Sequence, residues 1–133
     1  MILGIGIDIV EVDRMDSAIR RDAFVKRIFT EQEQRYCEGR GVQKAASYAA
    51  RFAAKEAVLK ALGTGMSGGG TWLEVEVVSD PHGRPVISLH GFFAALAAKQ
   101  RVSKIHLSLT HAREYAAAQA VLWGGVADEG SNG

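Results

Sequence analysis

From Val42 to Leu62 the chain runs twenty-one residues without a glycine or a proline, and eight of them are alanine. Alanine loses no side-chain entropy in a helix, and the lysines, leucines and glutamate among the rest are good helix formers. The stretch predicts one long helix, and Gly63 is a natural place for it to stop. Small side chains on several sides let such a helix lie close to its neighbours, so the remaining elements have to be arranged around it.

Those elements are mostly strands and short helices. Leu3, Ile5, Ile7 and Ile9 alternate with Gly4, Gly6 and Asp8, a period-two strand pattern in which Asp8 is expected to be buried. Asp13 is placed to cap a helix that starts at Arg14 and runs into the early twenties. Thr30 and Glu33 have capping-box spacing, and the helix they open should end at Gly39. Gly63 to Gly70 holds five glycines in eight residues and must be a loop. Trp72 to Val78 alternates, with Leu73, Val75 and Val77 on one face. Asp80-Pro81-His82-Gly83 is a turn, and Val86 to His90 returns as the second strand of a hairpin. Phe92 to Gln100 reads as a short helix, and Ile105, Leu107 and Leu109 as a strand. Tyr115 to Trp123 supports two readings, a helix from its alanines or a strand beside its neighbour. The fold class is α+β, an antiparallel sheet against one long helix. The expected division is a single domain over 1–126 and a polar tail over 127–133.

Bulk properties exclude several classes. The 133 residues carry a formal net charge of +1, which implies no general affinity for nucleic acid. The apolar run from Phe92 to Ala98 is far short of the roughly 20 residues that a membrane span needs. The N-terminal stretch has no basic leader and carries Asp8, unlike a signal peptide. Cys37 is the single cysteine, so no intrachain disulfide can form, which suits the cytosol. The expectation is a soluble cytoplasmic protein.

Some residues could carry chemistry, each with a plainer alternative. A carboxylate buried at Asp8 needs an ion pair or a metal. Glu56 and Lys60 are four apart on the long helix, with Phe52 one turn earlier. They form either a solvated pair or part of a polar site. A second carboxylate beside Asp8 would make a hard oxygen site suited to Mg²⁺, and Lys60 could neutralise phosphate oxygens or donate a proton. Gly63-Thr64-Gly65 lets backbone approach a phosphate, or is a flexible loop after a helix cap. His111, after Ser108-Leu109-Thr110, could bind phosphate or transfer a proton, or be merely structural. From Arg14 to Ile28 the surface is mixed: Arg14, Arg20, Arg21, Lys26 and Arg27 are basic, Asp16 and Asp22 are acidic, and Met15, Ile19, Phe24, Val25 and Ile28 are apolar. That surface suits an acidic amphipathic partner, or is an amphipathic segment on its own core.

Taken together, Gly6-Ile7-Asp8-Ile9-Val10-Glu11 with Arg14, Arg51-Phe52-Ala53-Ala54-Lys55-Glu56-Ala57 with Lys60, Gly63-Thr64-Gly65, Gly83-Arg84-Pro85, Ser108-Leu109-Thr110-His111 and Glu114-Tyr115-Ala116-Ala117-Ala118 resemble the holo-acyl-carrier-protein synthase family. The order and spacing are the family's, from about residue 3 to about residue 122. Arg84 stands where lysine is common, Thr110 where serine also occurs, and Ser67 to Gly70 is unusually glycine-rich.

The resemblance implies a phosphopantetheinyl-transferase-like fold. It also implies Mg²⁺-dependent transfer of the 4′-phosphopantetheine arm of coenzyme A to a serine of apo-acyl carrier protein, with release of adenosine 3′,5′-bisphosphate, in support of fatty acid biosynthesis. Asp8 and Glu56 would hold Mg²⁺, and Lys60 would contact phosphate and assist the leaving group. Glu56, or a metal-bound water that it orients, would be the base. Arg51, Lys60, Gly63, Thr64, Gly65, Pro85 and His111 would contact coenzyme A, and Arg14, Arg21 and Phe24 would dock the carrier. The family is typically a homotrimer with active sites at subunit interfaces. Two other classes compete. A protein that merely senses a nucleotide or coenzyme A would not need Asp8, Glu56 and Lys60 together. A metal-dependent phosphohydrolase would not need the basic and apolar surface after Arg14.

Overall fold

The first strand, β1 (Ile2–Glu11), leads without a loop into α1 (Val12–Ala18). A computed structural model describes residues 1–125 of the chain, and the expected tail over 127–133 lies outside the described residues. The helix begins at Val12, whose N–H donates to the Glu114 carbonyl at 2.9 Å, so the turn out of β1 is set by a long-range backbone bond. Asp13 is therefore inside the first turn and is not the cap; the N-cap residue is Glu11, with no side-chain bond. Nor does this helix reach the early twenties. Arg20 and Arg21 fold back on the carbonyls of Ser17 and Ala18, and α2 (Asp22–Ile28) starts afresh.

Thr30 and Glu33 form the reciprocal capping box at the start of α3 (Glu31–Glu38), which ends at Gly39. The long helix is α4 (Lys44–Leu62), preceded by a 3₁₀ turn at Gly41–Gln43 and closed by Gly63 at a left-handed φ of 82°. After the glycine loop, Trp72–Glu74 is a 3₁₀ turn rather than strand, so Leu73 is exposed and does not share the buried face of Val75 and Val77. Its own Thr71–Glu74 capping box competes with the extended conformation. The hairpin follows as β2 (Val75–Ser79) and β3 (Pro85–Leu89), then α5 (Gly91–Lys99), β4 (Val102–His111) and β5 (Tyr115–Gly124). The ambiguous alanine stretch is thus a strand, and it is central. The three-stranded sheet is antiparallel in the order β1–β5–β4, with Asp8 opposite Ala118 and His111 opposite Ala116.

Alanine suits β5 because α4 lies on it. Ala53, Ala54 and Ala57 of the helix and Ala118 and Ala120 of the strand are all buried in one core with Val58, Leu122 and Phe93. A second core holds Met15, Ile28, Phe29, Cys37 and Tyr48 under α1–α3.

Strand β1 turns its glycine and aspartate face inward, with Asp8 mostly buried as expected. Ile5, Ile7 and Ile9 are 57%, 64% and 64% exposed, and the face with Gly4, Gly6 and Asp8 meets α4. The reason is close approach: a Cβ on Gly6 would collide with the Ala57 carbonyl, and one on Gly4 with that of Ala61. Only the glycine face can accept the helix.

Candidate active site

Because β1 touches α4 through bare backbone, Asp8 two residues beyond Gly6 is carried to the side of the helix. There the Lys60 ammonium donates to Asp8 Oδ1 at 2.9 Å and to the Ile7 carbonyl at 3.0 Å. The Asp8 side chain is 13% exposed and that of Lys60 is 55% exposed. Lys60 therefore pairs with the carboxylate on the neighbouring strand, not with Glu56 four residues back on its own helix.

Glu56 is half-buried, and its carboxyl is pushed above the usual range. Burial is the main cause, the Asp8 carboxylate adds to it, and Lys60 opposes it. These influences on Glu56 put two carboxylates and an ammonium within one electrostatic neighbourhood. Among the described residues no three His, Cys, Asp or Glu side chains gather as a metal site. Two carboxylates still fit Mg²⁺, which commonly takes one or two from the protein and its other oxygens from water and substrate phosphates.

Asp8 and Glu56 line a groove of about 470 Å³ whose other walls include Arg14, Arg21, Phe24 and Phe52. Arg14 reaches Glu11 only at 3.9 Å and is largely exposed, and the Arg21 guanidinium lies 5.6 Å above the Phe24 ring. Phe52 stacks on Trp72 at 5.2 Å, so the groove has an aromatic floor beside its carboxylates. The three residues expected to dock a carrier thus sit beside the carboxylate pair.

The remaining expected residues divide differently. Arg51, Pro85 and His111 line a separate cavity of about 160 Å³, together with Tyr36, Arg40 and Ser47. Gly63, Thr64 and Gly65 follow Lys60 and line neither space; the Thr64 hydroxyl donates to the Gly65 carbonyl at 3.1 Å. Within one chain, the residues expected at coenzyme A are not gathered in one pocket.

Local sequence patterns point neither to Tyr36 and Arg40 nor to the role of Lys55. Lys55 is fully buried, pairs with Glu33 at 2.9 Å and donates to the carbonyls of Trp72 and Val75 at 3.1 and 2.8 Å. Glu33 Oε2 in turn accepts from the Val77 N–H at 2.7 Å. This network fastens α3 and β2 to α4. Its partners lie 17 to 44 residues apart, so no local pattern announces it.

The sequence and the fold have counterparts among known proteins. The holo-[acyl-carrier-protein] synthase of Koribacter versatilis is 48% identical over 92% of this chain and 98% of its own. The solved structure of the Bacillus anthracis holo-(acyl-carrier-protein) synthase in complex with CoA (3′,5′-ADP) aligns with TM-score 0.76 and 38% identity, covering 94% of this chain and 99% of that one. The Neisseria meningitidis holo-[acyl-carrier-protein] synthase aligns with TM-score 0.83 and 31% identity, covering 92% and 99%. The family model of the 4′-phosphopantetheinyl transferase superfamily matches residues 4–120, and this chain belongs to that superfamily.

Proposed function

We propose that this protein is a holo-acyl-carrier-protein synthase, which moves the 4′-phosphopantetheine arm of coenzyme A onto a serine of apo-acyl carrier protein. The observation that carries the proposal is the Asp8–Lys60–Glu56 cluster at the edge of a groove walled by Arg14, Arg21 and Phe24. The carrier serine oxygen attacks the β-phosphorus of coenzyme A, the bond to the adenosine bisphosphate oxygen breaks, and adenosine 3′,5′-bisphosphate leaves. Glu56 accepts the serine proton, directly or through a metal-bound water that it orients. Lys60, more than half exposed, is free to turn its ammonium to the oxygen of the departing phosphate. Asp8 and Glu56 would hold Mg²⁺, which when bound offsets the negative charge of the diphosphate. Arg14 and Arg21 supply positive charge, and Phe24 an apolar contact, for an acidic amphipathic carrier helix.

Arg51, Pro85 and His111 are assigned to coenzyme A, with Gly63, Thr64 and Gly65 at its phosphates. The separation of the two cavities and the exposure of Ile5, Ile7, Ile9 and Trp123 on the outer face of the sheet support a homotrimer that buries this face and completes each site from two subunits. Mixing Asp8→Ala with Arg51→Ala subunits should then restore part of the activity that each lacks; no recovery would place both residues in one subunit's site. Among the described residues no helix is long and apolar enough to cross a membrane, in keeping with a cytoplasmic enzyme of fatty acid biosynthesis.

The deciding measurement is the intact mass of apo-acyl carrier protein after incubation with this protein, coenzyme A and Mg²⁺. A gain of one phosphopantetheine, about 340 Da, lost when a chelator removes the metal, is the expected result. Coenzyme A binding with no gain on any carrier would instead favour a sensor. Coenzyme A cleaved without carrier would favour a hydrolase.

A further inference from the structure

We propose that Tyr36 is a positioning residue for coenzyme A: its ring holds the Arg51 guanidinium ready for a phosphate. This rests on the reading that the Arg51 cavity takes part of coenzyme A.

Arg51 is 5% exposed, and its Nε has no hydrogen-bond partner. Among the described residues no carboxylate pairs with it. A buried guanidinium with donors unspent and no counter-ion is costly, and such a charge normally finds an anion. What it has instead is the face of Tyr36, whose ring centroid lies 3.8 Å from the guanidinium carbon. The negative face of an aromatic ring attracts a cation but accepts no in-plane hydrogen bonds, so the guanidinium edge stays available.

Helix geometry explains why Tyr36 is there. Glu33 and Tyr36 are three apart on α3, and Arg51 and Lys55 are four apart on α4, so each pair shares a helix face. The two helices are joined by two rungs, Glu33 to Lys55 and Tyr36 to Arg51. The first rung is ionic and uses up its donors. The second leaves its donors unspent. Arg40 lies 5.5 Å from the same ring, and His111 lines the cavity while no Asp or Glu does. The space is therefore suited to an anionic group, and Tyr36 sets where its buried cation stands.

The test compares wild type, Tyr36→Phe, Tyr36→Leu, Arg51→Ala and the Arg51→Ala, Tyr36→Leu double variant, using coenzyme A and apo-acyl carrier protein. Tyr36→Phe keeps the ring and should leave every constant within about twofold. Tyr36→Leu should raise the KM for coenzyme A about tenfold, with kcat and the carrier KM unchanged and the melting temperature lowered by no more than about 4 °C. In the double variant, loss of the ring should add nothing to the effect of Arg51→Ala. An unchanged coenzyme A KM in Tyr36→Leu, with Arg51→Ala impaired, overturns the role of Tyr36 alone. Equal harm from Phe and Leu, or a fall in melting temperature and kcat together, overturns it in favour of a hydroxyl or a merely structural role. Tyr36→Gln serves as a second ringless variant should the Leu variant fail to fold. A normal coenzyme A KM in Arg51→Ala would overturn the assignment of the cavity itself.

Discussion

Lys55 and Lys60 are five residues apart on α4, and each ammonium lies 2.9 Å from a carboxylate, yet the two pairs do opposite work. Lys55 is fully buried and bonded to Glu33 and two carbonyls, which uses all three of its hydrogens. Burial pushes its pKa down, and Glu33 pulls it back. Lys60 is more than half exposed and pairs with Asp8, which lines the groove. Distance does not separate these pairs; desolvation does. A dry pair with every donor spent can only hold structure, because removing either partner strands a charge. A wet pair contributes little to stability and can exchange its partner for a substrate phosphate.

The largest expected effect breaks the dry pair. Glu33→Ala should lower the unfolding free energy by about 3–5 kcal/mol in urea titration, since it strands Lys55 and deprives the Val77 N–H of its acceptor. Cys37 offers an independent readout of the same loss. Its thiol is fully buried and its pKa is pushed up to about 12, mainly by that burial, so native protein should resist alkylation while Glu33→Ala reacts. A stability loss in Glu33→Ala no larger than in Lys60→Met would erase the contrast.

Next comes the wet pair. Asp8→Ala and Glu56→Ala should each cut transfer by about 10²-fold or more, while unfolding free energy moves by less than about 1 kcal/mol. Near-normal turnover in either variant with Mg²⁺ would remove it from the metal site. Arg14→Ala should raise the KM for carrier several-fold and leave that for coenzyme A alone, as steady-state kinetics would show; an unchanged carrier KM removes Arg14 from docking.

The smallest effect sharpens the electrostatics. In metal-free protein Glu56 keeps its proton to a higher pH than an ordinary glutamate, because burial and the Asp8 carboxylate disfavour its charge. Followed by carboxyl NMR in metal-free protein, the titration should move down in Asp8→Asn and up in Lys60→Met. Movement in the opposite senses would refute the assigned causes.

Much of this was legible in the chain. The glycine-free alanine run, Gly63 behind it and the Thr30–Glu33 spacing are local signals, and α4 and α3 form where they point. Alternation in β1 was legible too, but periodicity gives two faces without saying which one meets the helix. That is decided by the room Gly4 and Gly6 leave under the carbonyls of α4. The β5 alanines were ambiguous for a related reason: alone they favour helix, and only a helix lying on them makes small strand residues sensible. Asp8, Glu56 and Lys60 stood out as a polar set, whereas their pairing pattern did not. Spacing suggested Lys60 with Glu56, and the fold gives Lys60 to Asp8. Tyr36 carried no local signal, because its meaning comes from a residue fifteen positions away.

The glycine seam between β1 and α4 has one more consequence. Most separations inside a protein are kept by side chains, which mutation can lengthen, shorten or rotate. Here the gap between the strand bearing Asp8 and the helix bearing Glu56 is filled by peptide groups alone, whose dimensions no substitution alters. The gap can be widened by adding a side chain and cannot be narrowed. The two backbones that carry the carboxylates are thus held at the closest approach this architecture allows, measured by the polypeptide's one fixed ruler.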